Sequence, residues 1–217
     1  MELIDFEFCV RVIRGEIKTF LFTLLLFILK MLQLSNNVLV LNVGDQIPEG
    51  DSIKIYLAGS EDLNPSNEKW QDKLCNAMVT LTEGPGAISV FKGKSWVFIN
   101  PLMAPQMNPT PSITNPEFVN KLTWQTDMMN ASDGIFLNFL KRSTSPLPLY
   151  TFGLATNCGK LVVRCSEEYF QYGLVSFMCG RHNIPLLPNK STVKDVIWAF
   201  FSILPALQVN QKLQLPE

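Results

Sequence analysis

The chain has 217 residues, of which 47% are hydrophobic and 17% charged, with 14 prolines and 12 glycines. At roughly 150 residues per domain this argues for one domain with an appendage, and the composition excludes a disordered chain, a collagen-like repeat and a disulfide-dense mini-protein. The 18 basic and 19 acidic residues give a formal charge of −1, which leaves no global electrostatic footprint for nucleic acid.

Residues 1–50 read as an N-terminal extension, and 51–217 as the folded domain. Within the extension, TFLFTLLLFIL (19–29) is an uncharged apolar run between Lys18 and Lys30. As a helix it would cover roughly 16 Å, well short of a hydrocarbon core of ~30 Å. Arg11, Arg14 and Lys18 supply the positive flank of a signal peptide. Asp5, Glu7 and Glu16 dilute that flank, however, and no small-x-small cleavage site follows. An extra apolar helix packed on the domain or on another subunit, an accessory extension, and membrane contact through 19–29 all stay open. Membrane contact is the reading not favoured.

SIKIYLAGS (52–60) is an apolar run closed by Gly and Ser, as a buried parallel strand should be. Residues 66–80 place Trp70, Leu74, Ala77 and Met78 at helical spacing. SWVFINP (95–101) reads as a second strand. The Pro- and Met-rich stretch 102–116 is too irregular for either element, and its length suggests a loop over a site. A helix over 117–133 leads to a third strand, GIFLNFL (134–140). A helix over 147–156 leads to a fourth strand, KLVVRC (160–165). EEYFQYGLVSFMCGRHN (167–183) reads as helical in its first part at least. IPLL (184–187) is a short fifth strand, and STVKDVIWAFFSIL (191–204) a final helix capped by Ser191. Strands alternating with helices predict an α/β fold, a five-stranded parallel sheet, doubly wound in the flavodoxin or Rossmann manner.

Such sheets bind ligands outside the carboxyl ends of their strands. The rule selects Gly59, Ser60, Glu61 and Asp62, then Asn100 and Pro101, then residues 141–146, then Ser166, Glu167 and Glu168. Neither G-x-G-x-x-G nor a Walker sequence occurs, so no phosphate-cradling glycine loop is expected. Cys9, Cys75, Cys158, Cys165 and Cys179 lack any C-x-x-C spacing and there is one histidine, His182. They read as reduced thiols of a cytoplasmic chain, with no metal site and no cofactor. Catalysis of the Ser-His-Asp or Cys-His kind would have to run through His182 alone.

IYLAGS (55–60), Trp70, INP (99–101), NPEFVNKLTWQTDMMNASDGIFLNF (115–139), SPLPLYTFGLA (145–155) and KLVVRC (160–165) occur in a familiar order. In this the chain resembles the nucleoside 2-deoxyribosyltransferase-like family over roughly 53–187. The resemblance implies cleavage or exchange of the N-glycosidic bond of a nucleoside or nucleotide. A carboxylate attacks the anomeric carbon and a second acid protonates the departing base. The family's nucleophile is the Glu of S-P-x-x-L-x-E-L-G. Here Ser145, Pro146, Leu149 and Gly153 match that motif, and the Glu position is Thr151. The Arg of the family's N-P-R is Leu102, the Glu of its W-E is Gln125, and no Asp or Glu occurs between Asp133 and Glu167.

A threonine hydroxyl is a feeble nucleophile without an adjacent base, so covalent double displacement is not expected. Three readings stay open. The first is a nucleoside- or nucleotide-binding pseudoenzyme. In it Tyr56 stacks on base or ribose, Asp133 accepts sugar hydroxyls, and Ser145 with the following helix start holds an anionic group. Gly59, Ser60, Glu61, Asn100 and Pro146 complete the wall. The second is an N-glycosidase activating water directly through Glu61, Asp62, Asp133 or Glu167. The third is an assembly component with a vestigial site. Tyr56 also reads as core, Asp133 as a cap at the strand junction, and Trp70 and Trp124 as helix-packing residues. The resemblance also implies a homo-oligomer, whose sites are completed by a neighbouring subunit.

Overall fold

The computed structural model of the protein describes residues 37–60, 69–83, 94–103 and 109–204. The apolar run 19–29, Glu61 and Asp62 lie outside them. The described chain runs β1 (Val38–Leu41), β2 (Ser52–Gly59), α1 (Trp70–Glu83), β3 (Ser95–Ile99), α2 (Pro116–Ala131), β4 (Gly134–Phe139), α3 (Leu147–Ala155), β5 (Leu161–Cys165), α4 (Tyr172–His182), β6 (Leu186–Pro188) and α5 (Val193–Ile203).

The strands form one sheet in the order β1-β3-β2-β4-β5-β6, every pair parallel. Parallel neighbours need crossovers, and right-handed crossovers send helices to opposite faces when the chain changes direction across the sheet. The chain steps from β2 to β3 on one side, then crosses to β4, β5 and β6 on the other. Helix α1 accordingly packs on one face with α5, and α2, α3 and α4 contribute to the core on the other.

Two cores follow from the period-two alternation of side chains along each strand. Ile55, Leu57, Trp96, Phe98, Phe136 and Val162 meet Leu74 and Met78 of α1 and Val196, Ile197, Phe200 and Phe201 of α5. Tyr56, Ala58, Val97, Ile99, Ile135, Leu137, Phe139 and Val163 meet Phe152, Ala155, Val175 and Cys179. Strands buried on both faces must be apolar almost throughout, which is why β4 is buried at all six positions.

The sheet has six strands where the sequence pattern predicts five. The additional strand, β1, pairs with β3 through Val38↔Trp96 to Leu41↔Ile99. Four residues at a sheet edge carry too little pattern to be distinguished from a loop. Two further boundaries differ. Residues 167–171 are turns held by Tyr169 N–H donating to the Ser166 carbonyl and Tyr172 N–H to the Tyr169 carbonyl, so α4 opens only at Tyr172. The final helix is capped by Thr192, not Ser191. The Thr192 hydroxyl accepts from Asp195 N–H, and the Asp195 carboxylate accepts from Thr192 N–H, a reciprocal capping box.

Helix α2 is anchored at both ends. Asn115 caps its start by accepting from Glu117 N–H at 3.1 Å. At its end the Lys160 ammonium donates to the carbonyls of Met129, Asn130 and Ser132, where a cation complements the exposed carbonyls. Trp124 donates from Nε1 to the Asp45 carbonyl at 2.8 Å. Among the described residues no helix is long and apolar enough to cross a membrane.

A cavity at the carboxyl edge with Thr151 on its wall

Strand order changes direction beside β2, and a cavity of about 250 Å³ opens there at the carboxyl edge, on the α2–α3 side. Its floor is Tyr56, Ala58 and Gly59 of β2. One wall is Phe118, Lys121, Leu122 and Gln125 of α2, spaced so that they form one stripe along the helix. The opposite wall is Leu147, Pro148 and Thr151 of α3, and Pro101 and Pro111 close the remainder.

Local sequence explains why these elements meet. Gly59 has φ +146°, and a Cβ there would collide with the Asn138 carbonyl. Only glycine lets β2 lie this close to β4 while the chain turns out of the sheet. Ser60 then locks the turn. Its hydroxyl accepts from Leu140 N–H at 3.0 Å, its own N–H donates to the Asn138 carbonyl, and its carbonyl accepts from Trp70 Nε1. Asn100 forms the corresponding turn after β3, its Oδ1 accepting from Leu102 N–H. Gln125 Nε2 donates to the Pro101 carbonyl at 3.1 Å, fastening α2 to that turn.

Of the residues selected from sequence, Tyr56, Gly59, Pro101 and Thr151 line the cavity together. Tyr56 is only 5% exposed and belongs to the core as well. Ser60 and Asn100 are buried and shape the turns, while Ser145 and Pro146 directly precede the first turn of α3. Glu61 lies outside the described residues.

Asp133 is elsewhere. It stands at the amino end of β4, where its carboxylate accepts from Lys54 N–H at 2.8 Å. In a parallel sheet that is the edge opposite the cavity, and the carboxylate is engaged there at the strand junction. Glu168 is drawn into an exposed ion pair with Lys141 at 2.7 Å. Gln125, Lys121, Phe118 and Leu122 are cavity residues that the strand-end rule passes over, since it examines loops after strands. Their helical spacing, starting just beyond the Pro-rich loop, was the available signal.

Among the described residues, no cavity-lining side chain is a carboxylate. Nor does any group of three or more His, Cys, Asp and Glu there have the arrangement to hold a metal ion. Burial pushes the Cys75 and Cys165 thiols up to about 12 and Cys179 up to about 11, which leaves them as inert core thiols.

The doubly wound sheet carries this cavity at its strand reversal, where open α/β sheets characteristically hold their ligands. The chain matches the model of the nucleoside 2-deoxyribosyltransferase-like family over residues 52–169, and it belongs to that family. The match takes in β2 through β5, every strand end and helix that lines the cavity. Among curated proteins none matches the chain.

Proposed function

We propose that the protein binds a nucleoside or nucleotide in this cavity without breaking its N-glycosidic bond, as a sequestering or sensing pseudoenzyme. The supporting observation is Thr151, which faces the cavity from α3 at the position where the family motif carries its nucleophilic glutamate. Glycosyl transfer of this type works through a pair of carboxylates, and the described wall contributes none. Lys121 is its one cationic side chain. Phe118 and Tyr56 offer aromatic surface to a base, and Gln125 and Thr151 offer hydrogen-bonding groups. The volume lies at the small end of ligand pockets, which suits a nucleoside better than a dinucleotide.

The same reading extends to assembly and location. Tyr150 and Leu154 of α3, with Phe170, Leu174 and Phe177 at and in α4, are 49–65% exposed. Apolar side chains in such numbers point to an interface, and Leu147, itself 50% exposed, joins them to the cavity wall. We place the protein in the cytoplasm as a homo-oligomer.

The test is a panel of ribo- and deoxyribonucleosides and their 5′-phosphates. Calorimetry reads binding and chromatography reads free base. Saturable binding without base release is expected, and Thr151→Glu should introduce slow release. Base release by the unaltered protein, or no binding across the panel, would overturn the proposal.

A further inference from the structure

On the opposite face of the sheet a half-buried cation has no counter-ion among the described residues. Arg164 lies in β5 in register with Asn138 of β4, which is in turn in register with Gly59. Strand alternation turns Asn138 and Arg164 to the α1–α5 side, away from the Thr151 cavity. The guanidinium donates from Nε to Asn138 Oδ1 at 2.9 Å and from Nη1 to the Ser191 carbonyl at 3.3 Å. Its carbon stands 5.6 Å from the centre of the Phe136 ring, whose other neighbour is Trp70, also at 5.6 Å. Both hydrogen-bond partners are neutral. Among the described residues Arg164 has no carboxylate partner, and the carboxylate of nearby α5, Asp195, is committed to Thr192.

Asn138 is 0% exposed, and its Nδ2 has no hydrogen-bond partner. Its orientation is fixed, because only the oxygen can accept from Arg164. A fully buried amide with an idle NH₂ is costly, and so is a desolvated cation without an anion. Burial also pulls the Arg164 guanidinium below its ordinary value. The idle amide and the half-buried guanidinium lie in register on neighbouring strands, at the carboxyl edge of the parallel sheet.

We propose that Arg164 and the Asn138 amide form a second ligand site, on the α1–α5 face, for a phosphate-type oxyanion. Three guanidinium N–H groups and the amide NH₂ have no protein partner there among the described residues. A tetrahedral oxyanion offers more acceptor oxygens to such a set than a planar carboxylate does. The site is independent of the nucleoside reading, since the sheet separates it from Thr151.

The test uses the full chain. Thermal unfolding is followed with inorganic phosphate, methyl phosphate and acetate, each against chloride at matched ionic strength, and the Arg164 Nε–H resonance is followed by NMR in the same titrations. Phosphate should raise the midpoint saturably and shift that resonance, acetate should do so weakly, and a response confined to methyl phosphate would identify an ester as the natural form. Arg164→Met should lose the phosphate response, and Arg164→Lys should weaken it roughly tenfold by removing the fork of donors. Should Arg164→Met fail to fold, the Lys variant and the resonance decide. No response beyond chloride, a response that survives Arg164→Met, or a resonance that acetate moves as much as phosphate would each overturn the proposal.

Discussion

Asp133 and Lys54 clasp each other through the main chain: the Asp133 N–H donates to the Lys54 carbonyl at 2.8 Å, and the Asp133 carboxylate accepts from the Lys54 N–H at 2.8 Å. The clasp sets the register of β2 against β4 at the sheet edge remote from the cavity. The Lys54 ammonium, 3.9 Å away, adds little at an aspartate side chain 42% exposed. Asp133→Ala should therefore lower unfolding stability by about 1 kcal/mol and leave nucleoside affinity unchanged, as urea melts and calorimetry would measure. An Asp133 that served the ligand would give the opposite pattern.

The two strands meet again at Gly59. Gly59→Ala forces a side chain against the Asn138 carbonyl at a backbone angle that L residues avoid, and a loss of about 3 kcal/mol is expected. Gly153, in α3, has open space where its Cβ would be. Gly153→Ala should raise stability by roughly 0.5–1 kcal/mol. The opposite signs can be read in one set of denaturation curves.

The thiols divide by burial. Cys75, Cys165 and Cys179 are buried, with pKa values raised to about 12, 12 and 11, and Cys158 is exposed. At pH 8 iodoacetamide should label Cys158 and spare Cys75, Cys165 and Cys179 until denaturant is added, as peptide mass spectrometry would show. Because the folded thiols hold their protons above the unfolded value of 9.0, their contribution is complete below pH 9. It declines as pH rises towards 12, by up to ~1.4 kcal/mol per pH unit for each thiol. Cys75→Ala should flatten that decline.

The exposed apolar face of α3 and α4 gives a prediction about assembly. Tyr150 and Phe177 are each 65% exposed. Tyr150→Asp combined with Phe177→Asp should reduce the mass measured by light scattering to that of a single chain, with the far-ultraviolet spectrum unchanged. An unaltered protein that already runs as a monomer would remove the basis for an interface here.

Much of this was legible in the chain itself. IYLAGS, GIFLNFL and KLVVRC announce buried parallel strands because a strand covered on both faces has no polar positions to confuse its pattern. Family motifs in order located Tyr56, Gly59 and Thr151 on the cavity wall. The strand Val38–Leu41 was not legible, being short and at an edge, and neither was the delayed start of α4, where Glu167–Gln171 spends its polar groups on turns.

Sequence by itself determined the class of fold and the family, since composition, periodicity and aligned motifs are properties of the chain. Only tertiary structure decided that Asp133 serves the remote edge, that Gln125 and Lys121 reach the cavity from α2, and that Arg164 meets the idle amide of Asn138. Those relations depend on register between strands far apart in the chain, and the pairing of β2, β4 and β5 sets that register through long-range packing rather than local pattern.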